Sequence, residues 1–192
     1  MQPDGSTPFY TVPVLADPST QQVISDTSKI ADYLEKTYPD TPHLFPPRTR
    51  GLHAAFGETI LTVVGPPLYK LCVLAAMRNL NEASVPYFRV TREMYFGAKL
   101  EEICPEGEVA EATWKELEGA LSKIAGWFKA AGDSPFIGGD ELCYADFQLA
   151  APLIWARTVW GADSEHRKRL DELDEGRWAR YIARFEQYRS VL

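Results

Sequence analysis

Thr11-Val-Pro-Val-Leu-Ala-Asp-Pro-Ser-Thr-Gln-Gln-Val-Ile-Ser-Asp-Thr-Ser-Lys-Ile30 is the stretch that decides the fold of the first part of the chain. Residues 11–15 are a short β-rich run, Asp17-Pro-Ser-Thr20 is a turn signal, and Val23-Ile24 supplies a second strand pairing back as a hairpin. Ser25 or Asp26 then offers an N-cap oxygen, and Ile30, Ala31, Leu34 and Tyr38 recur at helical spacing. The expected order is strand, strand, helix. Pro13 stands in mid-strand, where a residue without an N–H breaks the ladder, so that position serves something other than sheet pairing.

Downstream, Pro39-Asp-Thr-Pro-His-Leu-Phe-Pro-Pro-Arg-Thr49 carries four prolines in 11 residues, which disfavours a helix and marks a stiff linker. Eight of the 14 prolines fall in the first 47 residues while all five tryptophans follow residue 113, so the linker separates regions of different character. We expect a small domain at residues 1–38, the linker at 39–49 and an all-helical domain at 50–192. In the last, residues 50–79 read as one long helix bent at Pro66-Pro67, and residues 87–103 as a second. Trp114, Leu117, Leu121, Ile124, Ala125 and Phe128 form the apolar stripe of a third helix, ended by Gly132. Residues 144–155 are apolar around most of a helix circumference and read as the buried central helix, kinked at Pro152 or restarted there. Residues 176–191 intersperse Arg with Trp178, Tyr181, Phe185 and Tyr188 and are expected to pack this aromatic face on the bundle.

Composition narrows the function. With 20 Lys plus Arg against 27 Asp plus Glu the net charge is −7, which argues against nucleic acid or an anionic membrane surface as partner. The longest run without a charged residue, 5–16, has 12 residues and two prolines, short of the ~18 that a bilayer span needs. Cys72, Cys104 and Cys143 are odd in number and widely spaced, and His43, His53 and His166 share no ligand spacing, so neither a disulfide framework nor a metal site is expected. Met-Gln-Pro-Asp-Gly has neither the basic start nor the apolar core of a leader, and the expected compartment is the cytoplasm.

Several motifs together resemble the cytosolic glutathione transferases. Tyr10-Thr-Val-Pro-Val-Leu15 is similar to the strand that carries the family's cis-proline, and Ile24-Ser-Asp-Thr-Ser-Lys-Ile30 to its acidic-plus-hydroxyl motif. A linker with Leu44-Phe-Pro46 follows, as it does there. Gly139-Asp-Glu-Leu-Cys-Tyr-Ala-Asp-Phe147 resembles the capping box and hydrophobic staple that open the family's central helix, with Leu142 and Phe147 as the staple. It departs from the pattern at the cap, where Cys143 stands in place of Ser or Thr opposite Asp146 and weakens the cap by roughly 1 kcal/mol. Gly176-Arg-Trp-Ala-Arg-Tyr181 also resembles fungal, etherase-related members. The resemblance implies an α+β fold, a partial thioredoxin-like N-terminal domain followed by an all-α helical bundle domain. It further implies glutathione as co-substrate, bound between them, and a homodimer.

The resemblance assigns glutathione binding to Val12, Pro13, Asp26 and Thr27. A cis Val12–Pro13 bond turns the Val12 N–H and C=O outward to pair with an extended peptide ligand, whereas a trans proline on an edge strand does not. Asp26-Thr27 opens a helix whose amides and dipole suit a carboxylate, with Asp26 suited to an ammonium; plain helix capping is a compatible role. In the family the thiol-activating Ser, Cys or Tyr lies ahead of the stretch where this chain begins. No inherited catalytic residue is therefore expected here, and an apolar edge along residues 11–15 is expected to be exposed. For a small hydrophobic second substrate, the bend at Pro66-Pro67 nominates Val63, Val64 and Leu68, with Trp155 as another candidate; all four equally suit a core. Arg167, Lys168, Arg169 and Arg177 interleave with Glu165, Asp171, Glu172, Asp174 and Glu175 and read as a solvated face. Two functions stay open: conjugation of glutathione to hydrophobic electrophiles in detoxification, and a non-catalytic module that binds hydrophobic ligands.

Overall fold

The computed structural model describes residues 12–189; Tyr10 and Thr11 of the first expected strand and Val191 of the last expected helix lie outside the described residues. The chain divides into two compact units, Met1–Pro46 and Pro47–Leu192.

In the first unit β1 (Val14–Asp17) and β2 (Gln22–Ser25) form an antiparallel hairpin in the register Val14↔Ser25, Leu15↔Ile24, Ala16↔Val23, Asp17↔Gln22. The first strand runs on into the expected turn because Asp17 organises that turn: its Oδ1 accepts from the Ser19 amide at 2.9 Å and hydroxyl at 2.6 Å. From α1 (Thr27–Thr37) and its C-cap, Tyr33 donates to Asp17 Oδ2 at 2.6 Å and Tyr38 donates to the same oxygen. Residues 38–49 are non-helical, as their prolines dictate. They are nevertheless no free spacer at their middle, since Glu35 of α1 accepts from the amides of Leu44 and, at 3.0 Å, Phe45.

In the second unit α2 (Arg50–Thr59), a π-turn at Ile60–Val64 and α3 (Gly65–Arg78) follow without interruption. The irregularity falls ahead of Pro66-Pro67 rather than at them. Neither proline donates an N–H, and each ring crowds the carbonyl four residues back, on Thr62 and Val63; the widened turn, with Gly65 N–H reaching Ile60 C=O, relieves that crowding. By length and composition Arg50–Arg78 is long and apolar enough to cross a bilayer, which corrects the expectation drawn from the 12-residue uncharged run; its Val64, Leu68, Leu71 and Cys72 are buried in the helical core.

The expected second helix is two. α4 (Val85–Phe96) stops at Gly97, whose φ of 67° is the left-handed C-cap that glycine adopts without penalty, and α5 (Leu100–Ile103) is a separate turn. α6 (Glu108–Ala130) buries the predicted stripe from Trp114 to Phe128 and ends before Gly132. α7 (Tyr144–Trp160) passes through Pro152 without breaking or restarting. It buries Leu149, Ala150, Leu153 and Ala156 but exposes Ala151 and Thr158, so it is an inner wall rather than sheathed on all sides.

α8 (Glu165–Ala183) loses helical geometry at Leu173, Asp174, Glu175 and Gly176. Its first half corrects the reading of these charges as a solvated face. Leu170 is fully buried, and Arg169 bridges Glu111 and Glu118 of α6 at 2.8 and 2.7 Å, its guanidinium 4.8 Å above the Trp114 ring. The sequence signal for this burial is Leu170 and Leu173, one helical turn apart among the charges.

Candidate functional site

One end of the hairpin builds the first candidate site. Because Val14 pairs with Ser25, the residues just before β1 and just after β2 leave the sheet at the same end. All four residues nominated for glutathione, Val12, Pro13, Asp26 and Thr27, therefore come together there. The Val12–Pro13 peptide is cis, and Val12 is 90% exposed. Asp26 caps α1, its Oδ1 accepting from the amides of Ser28 at 2.9 Å and Lys29 at 3.1 Å. Thr27 is the first helical residue. An exposed strand end, a carboxylate and the positive end of an 11-residue helix thus lie within a few residues of each other. Such a set offers partners to the backbone, ammonium and carboxylate of a peptide ligand.

The residues nominated for a second substrate do not gather. Val64 and Leu68 are 0% and 1% exposed and belong to the core, which corrects their nomination as walls of an open pocket. Val63 faces outward, and Trp155 is half-buried on α7 with its ring 5.9 Å from Tyr69. Tyr69 lies 5.5 Å from Phe96, and its hydroxyl accepts from Arg92 Nε at 2.7 Å. Tyr69, Phe96 and Trp155 make a partly exposed aromatic surface contributed by three helices, which no local spacing reveals.

The start of α7 departs from the familiar cap in an informative way. The buried Asp146 accepts on Oδ2 from the Cys143 amide at 3.0 Å and thiol at 3.1 Å, and on Oδ1 from the Ile137 amide at 2.8 Å and the Tyr181 hydroxyl at 2.9 Å. The thiol donates here, and an imidazole from α2 caps in addition: the Ala145 amide donates to His53 Nδ1 at 3.2 Å. Burial pushes the Cys143 thiol up to about 12 and raises the Cys72 thiol as well, so neither supplies a thiolate at neutral pH. Across the bundle Trp114 Nε1 donates to His166 Nδ1 at 2.9 Å, and burial pushes the His166 imidazole below its ordinary value. Among the described residues no group of three His, Cys, Asp or Glu is arranged to hold a metal ion.

Comparison with known proteins sets this geometry in context. Two family descriptions match, glutathione S-transferase, N-terminal domain, over residues 3–37, and glutathione S-transferase, C-terminal domain, over residues 51–188. Glutathione transferase GSTFuA3 of Phanerochaete chrysosporium is 41% identical with a TM-score of 0.91, all of this chain covering 75% of that one. A glutathione S-transferase of Ceriporiopsis subvermispora, solved in complex with glutathione, is 40% identical with a TM-score of 0.93, covering 100% of this chain and 76% of that one. The glutathione S-transferase-like protein ustS of Aspergillus flavus is 30% identical over 162 residues, 77% of this chain. The chain spans 57% of the length of that curated relative.

Proposed function

The chain belongs to the glutathione S-transferase family, and on that premise we propose that it binds glutathione through Val12, Pro13, Asp26 and Thr27 and conjugates it to small hydrophobic electrophiles. The observation that carries this reading is the shared hairpin end, where Val12 and the N-terminus of α1 emerge together. The Val12 backbone pairs with the ligand's central residue in the manner of an added strand, the first amides of α1 and the Thr27 hydroxyl hold the γ-glutamyl carboxylate, and Asp26 meets the ammonium. The Ceriporiopsis relative solved with glutathione supports the ligand.

Conjugation needs the thiolate, and a free thiol of pKa ~8.5 requires a donor beside its sulfur to ionise at neutral pH. No described residue is assigned that role. Val63 and the Tyr69, Phe96 and Trp155 surface suit an apolar second substrate. We place the protein in the cytoplasm as a homodimer engaged in detoxification. Exposed Leu52 and Leu61, and Tyr87, Val90 and Met94 on α4, supply apolar surface for pairing.

Calorimetric titration with glutathione, followed by a conjugation assay with an aryl halide, tests the reading. Saturable binding with turnover is expected, and Asp26→Asn, which keeps a cap oxygen but removes the charge, should weaken glutathione about tenfold. Binding without turnover reduces the chain to a non-catalytic binding module, and no binding overturns the site.

A further inference from the structure

A cleft between the end of α6 and the second half of α8 is lined by none of the residues proposed for glutathione. We propose that this cleft binds a tetrahedral oxyanion, a phosphoryl or sulfo group, on Arg180 and Arg184. The cavity measures about 110 Å³, a size for an ion of a few heavy atoms. Its lining includes Arg177, Arg180 and Arg184, one helical turn apart, with Asp133 as the single carboxylate among the described lining residues. Three guanidiniums against one carboxylate leave two positive charges, and the half-charge at the C-terminus of α6 offsets only a fraction of them. On a chain of net charge −7 this local excess runs against the whole.

The donors are apportioned in a way that leaves capacity for a ligand. Arg177 is fixed, paired with Asp133 and lying 5.6 Å over the Phe128 ring. Arg180 gives one N–H to Glu175 C=O at 2.7 Å, and Arg184 gives one to Arg180 C=O at 3.1 Å. Neither forms an ion pair with a carboxylate among the described residues. A guanidinium has five N–H donors in a planar fork that matches a phosphate oxygen pair, so most of the donors on both side chains remain for an anion. The buried rings of Phe128, Trp178 and Tyr181 also line the cleft. Their polar atoms are already engaged, Trp178 Nε1 with Asp174 and the Tyr181 hydroxyl with Asp146, so affinity rests on the arginines over an apolar base that sharpens their field.

Titration of the intact 192-residue chain with inorganic phosphate at low ionic strength, followed by calorimetry and by the arginine side-chain NMR signals, tests the site. Saturable one-to-one binding is expected, at least tenfold weaker in the double variant Arg180→Gln, Arg184→Gln; both side chains are exposed and the fold is checked by circular dichroism. Asp133→Asn removes the acid while keeping a residue that tolerates the left-handed backbone at φ 58°, and should tighten binding severalfold, a direction that misfolding cannot produce. Phenyl phosphate separates two sources of the group. Tighter binding of the ester assigns the site to the phosphoryl group of an organic ligand, and equal binding assigns it to the free ion. Non-saturable binding, or affinity unmoved by both variants, overturns the proposal.

Discussion

The hairpin unit and the helical unit are held together by opposite means. In the first, the buried side chains among the described residues are Asp17 and Ala31, and carboxylates carry the order: Asp17 gathers Ser19, Tyr33 and Tyr38, Asp26 caps α1, and Glu35 holds the linker. In the second, Trp114, Leu117, Leu121, Leu149, Leu153 and Trp178 are almost wholly buried in one core. Burying such an apolar side chain contributes about 1.5–3 kcal/mol, against about 0.5–1.5 kcal/mol net for a hydrogen bond. The helical unit is therefore the stable platform, and the hairpin unit is the part whose shape depends on a few polar contacts. The proposed peptide ligand adds contacts of that same polar kind where they are scarce.

All five tryptophans lie in the helical unit, so their fluorescence reports on it alone and the contrast can be broken from either side. The largest effect should come from Asp146→Ala, which strands the Ile137 and Cys143 amides and the Tyr181 hydroxyl inside the core. Urea unfolding followed by tryptophan emission should show a loss of about 4 kcal/mol. Leu149→Ala, at a position with no exposure, should cost about 3 kcal/mol by the same measurement.

Acid should separate the units. The folded His166 imidazole is pushed below its ordinary 6.5 by burial and by Arg169, with Glu106 and Glu111 opposing. Its contribution to stability is complete above that pH and is lost as pH falls below it toward the folded value. The Asp17 carboxyl is shifted in the same direction but from a lower starting point: hydrogen bonds from Ser19, Tyr33 and Tyr38 hold it well below the usual carboxylate range. Its contribution is present above the ordinary value of ~3.9 and is lost progressively as pH falls from there through the folded value. As pH falls below about 6.5 the tryptophan-detected midpoint should drop while hydrogen-exchange protection in the hairpin unit holds, and His166→Gln should flatten the drop. Cys143→Ser should do the reverse of the core variants, raising the unfolding free energy by about 0.5–1 kcal/mol as a hydroxyl replaces the thiol as donor to Asp146. Smallest on the tryptophan signal, at no change, should be Asp17→Asn, which should instead speed hydrogen exchange in the hairpin unit.

What the sequence disclosed follows the same division between local and distant contacts. The hairpin, the cap at Asp26 and the stripe from Trp114 to Phe128 were legible because each is decided by residues within a few positions of one another. That Val12, Pro13, Asp26 and Thr27 share one end of the hairpin was legible for the same reason, since they lie at two strand ends joined by one turn. Prolines announced an irregularity at Pro66-Pro67, but the π-turn that accommodates them sits upstream, where Ile60–Val64 reads as ordinary helix. Gly97, the left-handed C-cap that ends α4, sits in the uncharged run Met94 to Ala98, where only the glycine itself marks a stop. The cap that His53 gives Ala145 spans 92 residues, and the aromatic surface of Tyr69, Phe96 and Trp155 spans three helices, so neither leaves a local trace. Val64 and Leu68 show the converse error, since a core and a cleft demand the same apolar residues and only burial tells them apart.

Hydrogen exchange of the 192-residue chain with and without glutathione tests the central claim most directly. We predict slowed exchange at the Val12 and Thr27 amides, with the helical core of α6 and α7 unchanged. Exchange at those two amides that glutathione leaves unaltered, or protection confined to the helical unit, would contradict it.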